Sequence, residues 1–97
     1  MGPKADRDSG ISRFVGNLLQ AQGLALFDKW FEHLKQLNPD NPKVTDFEVR
    51  DQMLEEIISL VSEDNSLMLG KKDKVLIEEL LNKFLLGFHL LKPDKAV

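Results

Sequence analysis

Apolar residues recur along most of the chain at the three- and four-residue spacing of a helix face, and no stretch shows the two-residue alternation of a half-buried strand. Ile11, Phe14, Val15, Leu18 and Leu19 form a first stripe; Leu24, Phe27, Trp30, Phe31, Leu34 and Leu37 form a second. Ser9 or Asp8 stands where a cap would open the first helix. Gly16 and Gly23 each cost a helix about 1 kcal/mol relative to alanine. The stripe also changes phase between Leu19 and Phe27, so a break or kink is expected near Gly23. Asn38-Pro39-Asp40-Asn41-Pro42 stops the helix, because proline disfavours the helical conformation in the residue before it.

A new helix is expected at Thr45, which forms the T-x-x-E spacing of a capping box with Glu48. Phe47, Val49, Met53, Leu54, Ile57, Ile58 and Val61 would line one side of it. Glu48, Asp51, Gln52, Glu55, Glu56 and Ser59 would line the other, with an end near Ser62. Glu63-Asp64-Asn65-Ser66 has the composition of a turn, and Leu67-Met68-Leu69-Gly70 reads as a short apolar clip. The last helix is expected from near Asp73 to Leu91, with Pro93 as its stop. Its apolar residues, Val75 through Leu91, cover well over half its circumference, as in a helix central to a bundle or pressed against another chain. Gly87, lacking a side chain, marks a place where a second helix could cross it closely.

The pattern therefore predicts an all-α fold, a small bundle of four to five mostly antiparallel helices around a hydrophobic C-terminal helix. Residues 1–10 read as a flexible tail, 11–92 as one domain and 93–97 as a second tail. The 97-residue length suits one domain. A hydrophobic share of 42% beside 30% charged residues is that of a globular protein. The stretch Leu26-Phe27-Asp28-Lys29-Trp30-Phe31 is echoed at a constant offset by Leu80-Leu81-Asn82-Lys83-Phe84-Leu85, and each is followed by a proline stop. Any amphipathic helix ended by proline produces such an echo, and two copies do not establish a repeat.

Charge narrows the partners. Asp40 to Asp64 holds eight acids against Lys43 and Arg50, a net of −6 in a chain of net −3. An acidic middle argues against nucleic acid, which needs a concentrated basic face. No disulfide or thiolate chemistry is open to a chain without cysteine. Met1 to Gly10 lacks the apolar run of a secretory signal, and Asp6 breaks the myristoylation pattern at Gly2, so a cytoplasmic location is the default. The charges within the last helix interrupt it too often for a membrane span.

No constellation for catalysis stands out. His33 and His89 lack a neighbouring His or Cys at ligand spacing. EF-hand loops started at Asn38 or Asp64 fail at several ligand positions, Pro42 and Met68 among them. No phosphate-binding glycine loop or nucleophile elbow occurs. Lys71-Lys72-Asp73-Lys74 is a short basic cluster at a helix start and reads as a solvated turn. Asp64-Asn65-Ser66-Leu67 resembles the Asp-Ser-Leu attachment site of acyl carrier proteins over these few residues, with Asn65 intervening. That resemblance would imply a prosthetic-group serine at Ser66.

With no cofactor and no metal called for, the leading expectation is a non-enzymatic protein–protein interaction or regulatory module. Its partner would be another protein, a homodimer with a second copy included. The expected contact residues are Trp30, Phe84 and Phe88 as aromatic anchors and Glu48, Asp51, Glu55 and Glu56 as an acidic face. The alternative is a helical carrier of an apolar small molecule or lipid, with a cavity lined by Leu80, Phe84 and Phe88. An acyl-carrier-like protein is a weaker alternative.

Overall fold

The computed structural model describes residues 3–40, 43–65 and 69–91. Among these the chain is all helical, with three helices: α1 (Pro3–Leu37), α2 (Asp46–Asn65) and α3 (Lys71–Gly87). Each packs against both others. Phe84 lies over Gly23, and Leu90 lies beside Phe27 and Phe31, so positions rise together along α1 and α3 and these two helices run parallel. The helix between them returns, which makes the order up, down, up. The four to five helices expected from the pattern are thus three.

The difference lies mainly in α1, which is a single helix of 35 residues. At about 1.5 Å per residue its length accounts for the 52 Å long axis of the molecule. It opens at Pro3, well ahead of the expected start at Ile11, and proline is compatible with a first helical position because its missing N–H is not needed there. The expected break near Gly23 is absent. Ile11, Val15, Leu19, Gly23 and Leu26 are buried in succession, so the stripe runs through the glycine instead of changing phase there. A Cβ built on Gly23 would overlap the Phe84 ring, lying 2.6 Å from its Cε2. Glycine is therefore the notch into which α3 seats an aromatic ring. Gly87, by contrast, has nothing within 4 Å of an added Cβ, so the close crossing expected there occurs at Gly23.

The start of α2 is as the spacing predicts: the Glu48 backbone N–H donates to Thr45 Oγ1 at 3.1 Å. Val49, Met53, Ile57 and Val61 are fully buried at four-residue steps, whereas Phe47 is 46% exposed and lies off the buried side. The helix continues to Asn65, past the expected end at Ser62. Of the proposed apolar clip, Leu69 and Gly70 are non-helical, and residues 66–68, Ser66 among them, lie outside the described residues.

Gly70 caps α3, and its backbone N–H donates to Asp73 Oδ2 at 3.0 Å, the reciprocal half of a capping box that a glycine cap still permits. The Lys71-Lys72-Asp73-Lys74 cluster thus has its acid turned to the helix start. The helix ends at Gly87, short of the expected Leu91 and Pro93. His89 takes φ 60°, the His89 N–H donates to the Leu86 carbonyl at 3.1 Å, and the Leu90 N–H reaches back to Leu85 at 2.8 Å. That pair of bonds is a Schellman motif, with histidine in the left-handed position more often held by glycine. Ile77, Leu81 and Leu85 carry the buried side of α3, and Leu91 folds back into the core. Burial of each such side chain contributes roughly 1.5–3 kcal/mol. The echo between 26–31 and 80–85 has no structural counterpart. Leu26 is buried where Leu80 is half-exposed, and Phe27 is half-exposed where Leu81 is buried.

The two glycines of α1 give a paired test. Gly16 is exposed with open space around an added Cβ, so Gly16→Ala will stabilise the fold by about 0.5–1 kcal/mol. Gly23→Ala has the same propensity gain but must displace Phe84, at about 1–3 kcal/mol, and will be net destabilising. Urea denaturation in a Phe84→Ala background will reverse that sign; persistence of the loss there would show that Phe84 is not its cause.

Candidate functional site

The seven expected contact residues fall into three groups. Trp30 and Glu56 face each other across α1 and α2: Trp30 Nε1 donates to Glu56 Oε1 at 2.6 Å, and Lys29 Nζ donates to the same carboxylate at 2.9 and 3.0 Å. Lys29 also lies over the Trp30 ring, 5.2 Å from its centroid, and His33 meets that ring edge-on at 5.5 Å. Burial alone would raise the Glu56 carboxyl. The hydrogen bonds from Lys29 and Trp30, with the Lys29 charge, outweigh burial and hold it below its ordinary value of 4.5. This trio clamps α1 to α2, so Trp30 spends its polar end inside the fold.

Glu48, Asp51 and Glu55 form an exposed acidic stripe on the outer side of α2. Asp51 is paired with Arg50 Nη2 at 2.8 Å. Arg50 in turn ties α2 to α3, donating from Nη1 to Glu78 Oε2 at 2.6 Å and to Asn82 Oδ1 at 3.4 Å, while its Nε is buried without a partner.

Phe84 and Phe88 lie on the other side of the bundle, with ring centroids 4.9 Å apart. They belong to an open groove of about 470 Å³ between α1 and α3, lined by Gly16, Leu19, Gln20, Leu24, Leu80, Lys83, Phe84 and Phe88. Gly16, Gln20 and Leu24 stand at four-residue steps on α1, as do Leu80 and Phe84 on α3 and Phe88 at its cap, so two parallel ridges border one trough. Leu24 is 48% exposed, Phe88 53% and, on the adjoining outer face of α3, Leu86 41%. Leu76, Glu79, Asn82 and Lys83 share that outer face with Leu86.

The structure therefore joins Trp30 to Glu56 and Phe84 to Phe88, and leaves the acidic stripe apart from the aromatic groove. Gly16, Leu24 and Leu86 were not among the sequence candidates. The seven-residue spacing of Gly16 and Gly23, two turns on one face of α1, was the available signal for a bare strip there. Among the described residues no group of three His, Asp or Glu side chains is placed to hold a metal ion. Among the described residues no helix is long and apolar enough to cross a membrane. No protein-family model, curated protein or solved structure matches the chain.

Because the Glu56 carboxyl is held below 4.5 in the folded state, its stabilising contribution is complete above that value and disappears as pH falls through the folded pKa. Glu56→Gln will cost about 1 kcal/mol at neutral pH and will flatten the acid limb of stability against pH below 4.5. The single tryptophan, Trp30, reports both changes by its fluorescence. An acid limb identical in wild type and variant would remove Glu56 from the account.

Proposed function

We propose that the chain is a non-enzymatic helical interaction module whose contact face is the α1/α3 side of the bundle. The observation that carries this reading is the open apolar groove between those helices, with Leu24, Phe88 and the neighbouring Leu86 each close to half exposed. Scattered apolar residues are ordinary on a surface, but a contiguous trough of them marks a docking face. Its shape suits a third ridge of side chains laid lengthwise, which is how an amphipathic helix enters a groove. Lys83 on the rim adds a demand for an acid on that incoming helix.

The groove also supports a second reading, a carrier of an apolar small molecule. Leu80, Phe84 and Phe88 line it, and about 470 Å³ lies within the usual range for ligand sites. The groove is open along its length, however, and would leave more of a small molecule wet than such sites do. A helix covers an open trough better.

A photo-crosslinking residue at position 24 or 86, expressed in the native host, separates the readings. The interaction module will give adducts of polypeptide mass from these positions and none from position 55 on the acidic stripe. Adducts of small-molecule mass would favour the carrier, and the absence of adducts from 24 and 86 would overturn the interaction face.

A further inference from the structure

Leu76, Glu79, Lys83 and Leu86 occupy successive positions on the outer face of α3 at spacings of three, four and three residues. That is the seam spacing of a coiled coil, with Leu76 and Lys83 at one kind of position and Glu79 and Leu86 at the other. Leu86 is 41% exposed, Glu79 and Lys83 are exposed, and Leu76 is half-buried at the edge toward α1. Neither Glu79 nor Lys83 forms an ion pair among the described residues.

We propose that this seam pairs with its own copy, antiparallel about a twofold axis, so that the protein is a homodimer joined α3 to α3. The proposal rests on the interaction reading above, carries its contact from the groove onto the adjoining outer face of α3, and names the partner there. In the antiparallel register Leu76 faces Leu86 of the partner subunit, and Glu79 faces Lys83 of the partner subunit. The twofold repeats both pairs, which makes the patch self-complementary. A parallel pairing would set Glu79 against Glu79 and Lys83 against Lys83, and a shift centred on Glu79 would also oppose two carboxylates. Like charges in apposition exclude these alternatives. Leu80 flanks the seam on the side of the groove, so the dimer contact is continuous with the groove rim.

Sedimentation of the full chain from about 10 µM to about 1 mM will show monomer–dimer exchange. Lys83→Glu and Glu79→Lys, each placing like charges across the twofold, will each weaken the dimer tenfold or more. The double reversal will restore it, and an equimolar mixture of the two single variants will form a heterodimer, because each then supplies the charge the other lacks. Helical circular dichroism checks that every variant folds. A wild type monomeric throughout the range, single reversals without effect, or a double reversal that fails to rescue would each overturn the pairing. If the chain is monomeric while positions 24 and 86 crosslink to a different polypeptide, self-pairing falls and the interaction reading stands.

Discussion

The Phe84 ring seated on Gly23 sets the distance between α1 and α3, and much of the molecule follows from that approach. A side chain at position 23 would hold the two helices further apart and interrupt the row of Ile11, Val15, Leu19 and Leu26 against the core. With glycine there, the ring supplies the volume that α1 omits, in keeping with the close packing of protein interiors. The same ring forms the floor of the open groove, where it meets Phe88. One contact thus joins the inner core to the outer apolar face.

The three seams of the bundle are fastened differently. Glu56 takes hydrogen bonds from Lys29 and Trp30 across α1 and α2. Arg50 links α2 to Glu78 and Asn82 of α3. Along the α1–α3 seam apolar side chains pack closely, with the Phe84 ring over Gly23 among them. Charged crosslinks are directional and fix register, whereas an apolar seam tolerates a new neighbour along its edge.

What could be read in advance follows from how local each signal is. Thr45 and its hydrogen bond to the Glu48 amide lie within one turn, so the cap was legible, as was the proline-rich stop after Leu37. The helical class followed from spacing alone. Gly23 was misread because its helix propensity is a property of the residue, while its role belongs to a ring on another helix, far along the chain. Pro93 drew attention as the stop of α3, but the helix ends earlier, where His89 adopts a conformation that composition rarely signals in a histidine. Within the candidate site Phe84 and Phe88 were legible as aromatic anchors. That Trp30 and Glu56 would consume each other was not, since facing rows depend on the mutual register of two helices.

Parallel placement of α1 and α3 also sets how much chain each helix pair must close. The α1–α2 and α2–α3 pairs are each hairpins of neighbouring helices and close over short loops. The Gly23–Phe84 contact spans most of the chain and carries the larger loop-closure entropy. That cost falls once the two hairpins have set the helices side by side. The groove thus depends on both hairpins being in place, and helices held apart would present bare apolar ridges instead of a trough.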